Sequence, residues 1–124
     1  MATIQLSNDN IESTIDDNEI VVIDFWAPWC GPCKAFGPIF EKMSNEVEGV
    51  AFAKCNTQDE PDIAGQFGIQ AIPTLVAFRD KIMIFKQAGM LPEAALDELI
   101  TKIKELDMED VRQQIAEAEK AQQT

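Results

Sequence analysis

A chain of 124 residues, 46% hydrophobic and 26% charged, has room for one folded domain with its own core and no need of disulfide or metal staples. Acidic residues outnumber basic ones 22 to 10, a formal charge of −12, which argues against nucleic acid and anionic membranes, because both call for a basic surface. The apolar runs, 20–23 and 25–27 among them, are at most four residues long and fall far short of a membrane span.

The opening Met1-Ala2-Thr3-Ile4-Gln5 has no basic region followed by an apolar stretch, so no secretory signal is read there and a cytoplasmic location is expected. Three cysteines is an odd number, which leaves at least one unpaired. In a reducing compartment a Cys-x-x-Cys pair is catalytic or metal-binding rather than structural.

In chain order, Ile4 and Leu6 predict a brief strand, and Ser7 or Asn8 a cap for a helix running to about Asp16. The run I-V-V-I-D-F-W over 20–26 is rich in β-branched and aromatic residues, the pattern of a central strand covered on both faces. Residues 32–48 turn helical, with Phe36, Ile39 or Phe40, Met43 and Val47 at helical spacing and Gly49 as a stop. Pro38 falls inside that helix, where it removes a backbone hydrogen bond. A second buried strand follows over 50–55, then a helical turn over 62–67. Strands over 74–78 and 82–85 bracket Arg79-Asp80-Lys81, a hairpin without the usual Asn-Gly or Asp-Gly signal, so its turn type stays open. From Pro92 the chain is helical, with Leu96, Leu99, Ile100 and Ile103 on one face. The order βαβαβαββα predicts an α/β fold with a mixed sheet covered by helices on both faces. Beyond Leu106, Asp107 is a cap for a last helix with a narrow apolar stripe, Met108, Val111, Ile115 and Ala118.

The chemistry concentrates in Trp29-Cys30-Gly31-Pro32-Cys33, where a predicted strand passes into a predicted helix. A spacing of i, i+3 at a helix start puts both sulfurs on one side. The unpaired N–H groups and positive dipole end favour a thiolate at Cys30, the attacking form in disulfide exchange. Pro32 stiffens the first turn without losing a needed donor. Zinc, the competing use of such a pair, wants four ligands, and this chain offers no histidine and one further cysteine. Asp24, inside an apolar strand on the face of Val22 and Trp26, is expected to be buried. Desolvation should raise its pKa and make it a proton donor and acceptor near neutrality, unless backbone donors satisfy it instead. Lys54 on the neighbouring strand either approaches Asp24 or runs its stem outward to solvent.

The stretch D-F-W-A-P-W-C-G-P-C-K over 24–34, with Ile72-Pro73-Thr74 and Gly89, resembles the thioredoxin family over residues 1–106. That resemblance implies a five-stranded mixed sheet flanked by four helices, with 107–124 as an additional C-terminal helix. It implies a protein-disulfide reductase in which Cys30 is the exposed nucleophile, Cys33 the buried resolving thiol, Asp24 the proton relay for Cys33, and Lys54 its neighbour. Pro73 would be cis, where the residues alone read as a strand-edge proline. The Ile72 backbone would pair with the target peptide, with Trp29, Gly31, Pro32, Pro73 and Gly89 around it. No bound cofactor is implied; electrons would come from NADPH through thioredoxin reductase, and a monomer serving cell redox homeostasis is expected. An oxidase or isomerase of the same fold, or an interaction module with incidental redox chemistry, are the competing readings.

Three departures accompany the resemblance. Gln58 stands where an acid is common in the family. Cys55 is extra, either a buried inert thiol or a regulatory one. The extension over 107–124 docks, pairs with another copy, or frays.

Overall fold

The computed structural model describes residues 3–123; Met1, Ala2 and Thr124, at the outer ends of the expected domain and extension, lie outside the described residues. The elements are β1 (Thr3–Gln5), α1 (Ile11–Asp17), β2 (Ile20–Trp26), α2 (Gly31–Glu46), β3 (Ala51–Asn56), α3 (Pro61–Gln66), β4 (Thr74–Arg79), β5 (Ile82–Ala88), α4 (Glu93–Lys104) and α5 (Met108–Gln122). The strands form one mixed sheet in the order β1-β3-β2-β4-β5. β1 and β2 run parallel to β3, whereas β2–β4 and β4–β5 are antiparallel.

Because neighbours in a strand alternate faces, the sheet divides its apolar residues into two cores. Ile20, Val22, Phe52, Leu75 and Ala77 meet Phe36, Phe40 and Met43 of α2 and Leu96, Ile100 and Ile103 of α4. Val21, Ile23, Phe25, Ala53, Cys55 and Val76 meet Ile11 and Ile15 of α1 and Ile63 of α3 on the other side. β2 lies in the middle, buried at six consecutive positions, as its nearly unbroken apolar run predicts. Asp24 pairs in register with Lys54 and Leu75, which places it on the α2–α4 face.

Local boundaries differ from expectation where tertiary contacts take over. α1 starts at Ile11, and neither Ser7 nor Asn8 caps it. Asn10 occupies the cap position, but its side chain serves the preceding turn, accepting from the Ser7 N–H at 2.8 Å and donating to the Gln5 carbonyl at 2.8 Å. α2 ends at Glu46, two residues before the expected limit. Val47 turns extended and packs on the core, so Gly49, at φ 80°, shapes the following turn. The hairpin carries two left-handed residues, Asp80 at φ 52° and Lys81 at φ 70°, the pattern of a type I′ turn. Arg79 belongs to β4 rather than to the turn, and its guanidinium donates to the carbonyls of Ile103 at 2.7 Å and Leu106 at 3.3 Å. It thereby satisfies carbonyls left over at the end of α4.

The extension is a helix that docks by its first turn. Asp107 caps it, accepting from the Asp110 N–H at 3.2 Å. Met108 is buried, Val111 half-buried, and Ile115 and Ala118 are exposed. Arg112 and Asp80 approach to 3.6 Å at the elbow.

Candidate active site

The site forms where β2 hands over to α2. After Trp26 the chain turns through Ala27-Pro28-Trp29, and Cys30 takes the N-cap position in an extended conformation. Cys30 and Cys33 are joined by a disulfide with Cα atoms 5.2 Å apart. The Cys33 N–H, one of the unpaired donors of the first helical turn, points at Cys30 Sγ from 3.2 Å. Pro32 sits in that first turn, where no N–H is required. Gly31 has open space around its Cβ position.

Expectation placed Cys30 at the surface and Cys33 below it. In the disulfide both are covered, at 5% and 4% exposure. Ala27, Trp26 and Ile72 pack around the pair, and Cys30 Sγ lies 3.7 Å from the Ile72 carbonyl oxygen. Trp29, in contrast, is 70% exposed. The Ile72–Pro73 peptide is cis, Pro73 is buried, and its carbonyl accepts the Gly89 N–H at 2.8 Å. Gly89 holds φ 99°, a left-handed backbone that favours glycine. Trp29, Thr57, Ile69, Gln70, Ala71 and Ile72 line a shallow cleft of about 170 Å³. Its walls are uncharged, on a chain whose acidic groups exceed its basic ones by twelve.

A second cleft, about 250 Å³, reaches Cys33 itself. It brings Trp26, Cys33, Lys34, Gly37, Glu41 and Lys54 together. Asp24, 1% exposed, lies on the same sheet face. Neither carboxylate oxygen finds a hydrogen-bond partner among the described residues, so satisfaction by backbone donors does not occur. Burial pushes the Asp24 carboxyl up from its ordinary 3.8 to about 7. The Lys54 ammonium pulls the other way, and the Glu41 carboxylate adds to the rise. Lys54 makes its ion pair with Glu41, Nζ to Oε1 3.7 Å, and its ammonium stands 4.9 Å over the Trp26 ring. Glu41 carries no signal in the sequence, because it meets Lys54 only after helix and strand have packed. Cys55 is wholly buried, and burial pushes its thiol up to about 11, the setting of an inert core thiol.

Comparison with known proteins agrees with this geometry. The thioredoxin family model matches residues 2–102. A putative thioredoxin 2 from Streptomyces coelicolor is 47% identical over 116 residues, covering 94% of this chain and 87% of that protein. A thioredoxin from Synechocystis is 38% identical over 103 residues, covering 82% and 96%. Among solved structures, a mutant thioredoxin from Halobacterium salinarum superposes with a TM-score of 0.79 at 30% identity, covering 85% of this chain and 93% of that one. With a matching family model across most of its length, and a bonded Cys-x-x-Cys pair at the strand-to-helix junction, the chain belongs to the thioredoxin family and is a thiol–disulfide oxidoreductase acting on protein disulfides.

Proposed function

We propose that Cys30 is the attacking thiolate and Cys33 the resolving thiol of a dithiol reductase. The carrying observation is the Cys33 N–H directed at Cys30 Sγ from the N-terminus of a 16-residue helix. In the reduced protein the same donor, with the dipole behind it, stabilises negative charge on that sulfur. Cys30 Sγ attacks a target disulfide, one target sulfur leaves as thiolate, and a mixed disulfide forms. Cys33, giving its proton to Asp24, then attacks Cys30 Sγ. The second target sulfur leaves and takes that proton from Asp24, and the first, released as thiolate, takes from solvent the proton that Cys30 had given up on ionising, so the target gains two electrons and two protons while Cys30–Cys33 becomes the disulfide.

Docking uses the uncharged cleft. Trp29 offers exposed aromatic surface and the Ile72 backbone lies in the bend before β4; on this reading Pro73, Gly89, Gly31 and Pro32 belong to the same docking surface. An extended segment around the target disulfide, paired to backbone there, suits that surface. Lys54 sits beside Asp24 and tempers its proton affinity. Re-reduction by a flavin-dependent thioredoxin reductase at the expense of NADPH, action as a cytoplasmic monomer, and a role in cell redox homeostasis complete the reading. No helix among the described residues is long and apolar enough to cross a membrane.

Reduction of insulin disulfides tests it. Catalysis with NADPH and a thioredoxin reductase present, and none once NADPH is withheld, is the expected result. Failure to oxidise NADPH in the complete mixture would overturn the reading.

We further assign residues 1–106 to the catalytic domain and 107–124 to an accessory helix. A chain ending at Leu106 should keep reductase activity within about twofold and lose roughly 1–2 kcal/mol of stability, the worth of the buried Met108 side chain. Urea unfolding and the insulin assay check both halves. A tenfold loss of activity would place the extension in the working unit.

A further inference from the structure

The second cleft contains a charged group that the exchange mechanism above does not use. Glu41, on the solvent side of α2, is more than half exposed, yet its carboxylate reaches back over the cleft to the Lys54 ammonium at 3.7 Å. Lys54 is only 12% exposed at its side chain, and its backbone is the register partner of Asp24 on the adjoining strand. The ammonium is hemmed on its other sides by the Trp26 ring at 4.9 Å and by Gly37, whose Cβ position lies 3.8 Å away. Asp24 itself has no hydrogen-bond partner for either oxygen among the described residues. One cation is therefore shared between two carboxylates, one exposed and one buried, and it makes its ion pair with the exposed one.

We propose that Glu41 is a positioning residue for disulfide exchange, drawing the Lys54 ammonium toward solvent and away from the buried Asp24 carboxyl that faces it across the strands. Two electrostatic effects act in the same direction. Glu41 draws away the Lys54 cation that favours the ionised form of Asp24, and its own negative charge opposes a second one at Asp24. Without Glu41 the ammonium's remaining anionic neighbour is Asp24, which then ionises more readily and accepts the Cys33 proton less strongly. The titratable groups around this carboxyl are Lys54 on β3 and Cys33, Lys34 and Glu41 on α2; the β4 partner, Leu75, brings no charge. An exposed glutamate thus governs a buried aspartate through a shared lysine. The inference rests on the relay reading of Asp24 and deepens it.

The test is the titration midpoint of the Asp24 carboxyl in the reduced protein, followed by carboxyl-selective NMR, together with the pH profile of mixed-disulfide resolution. Glu41→Gln should move both midpoints to lower pH by about half a unit, a threefold fall in proton affinity. Glu41→Asp, which keeps the charge, should restore most of it. In a Lys54→Met background the shift from Glu41→Gln should shrink to less than half, because the cation it acts through is gone. A merely structural role for Glu41 would move none of these midpoints. An Asp24 midpoint that ignores Glu41→Gln, or a shift undiminished without Lys54, overturns the inference. The relay reading fails separately, if Asp24→Ala leaves the resolution rate unchanged while the Asp24 midpoint of the parent still responds to Glu41.

Discussion

Cys33→Ser is expected to convert the protein from a catalyst into a trap. On the proposed mechanism, attack on a target disulfide needs only Cys30, so the first step survives the substitution. The second step requires a nucleophile three positions along, held against Cys30 Sγ as the disulfide geometry holds it now, with Cα atoms 5.2 Å apart. A serine hydroxyl in that covered position fits the space but does not displace a thiolate. Turnover of insulin should fall by at least about a thousandfold, in the range seen when a covalent catalyst loses an essential partner. Mixed disulfides through Cys30 should accumulate and be visible on non-reducing gels and by mass spectrometry. Cys30→Ser should form none. If Cys33→Ser turned over targets at a rate near that of the parent, the resolving role would belong to another group.

Asp24→Ala should stabilise the fold above neutral pH and slow the resolving step. In the folded protein the carboxyl keeps its proton up to about pH 7, whereas its ordinary value is 3.8. Between these values the native state binds more protons than the unfolded state, so stability declines as pH rises through the window and levels off above it. A gap of about 3 pH units corresponds to about 4 kcal/mol, an upper limit for the cost of the ionised buried carboxylate. Alanine has no charge to bury, and after the void left by the lost carboxyl a gain of roughly 2 kcal/mol should remain at pH 8. Near pH 4 the ionisation cost is absent and only the void remains, so the variant should there be the less stable of the two by roughly 2 kcal/mol. Urea unfolding from pH 4 to 8 reads the effect directly: a declining curve for the parent and a flatter one for the variant. Resolution of the mixed disulfide should slow by at least about tenfold, less than the largest proton-transfer contributions because the open cleft beside Cys33 admits water as a substitute base. Parallel stability curves for the two proteins would mean that Asp24 is not a buried, proton-retaining group.

Much of this chemistry is local, and local chemistry is legible in a sequence. The run 20–26 could bury itself only as a central strand, and Asp24 within it could only be a desolvated carboxyl on one of two faces. The Cys30–Cys33 spacing at a helix start dictates a small disulfide ring irrespective of what packs around it. The hydrophobic face of 93–104 likewise implies a helix docked on the sheet. Even the hairpin around Asp80-Lys81 is legible without a recognisable turn signal, because the strand patterns on both sides leave only a few residues between them.

Other features arise only when distant segments meet. Asn10 caps nothing with its side chain because the preceding turn claims it, and Arg79 reads as a turn residue until the end of α4 arrives with unpaired carbonyls. Coverage of Cys30 depends on the Ile72 bend, forty-two positions away in the chain.

By itself, then, the amino-acid order determined the strand-to-helix junction, the pair of sulfurs upon it and the apolar burial of one carboxyl, since each follows from backbone geometry and neighbours within a few residues. Only the tertiary structure decided which carboxylate pairs with Lys54, how far Cys30 is shielded, and how much of the last helix docks on the domain. Those outcomes are set by distances between elements, and a charge or a carbonyl acquires its partner only once the sheet and helices have closed around it.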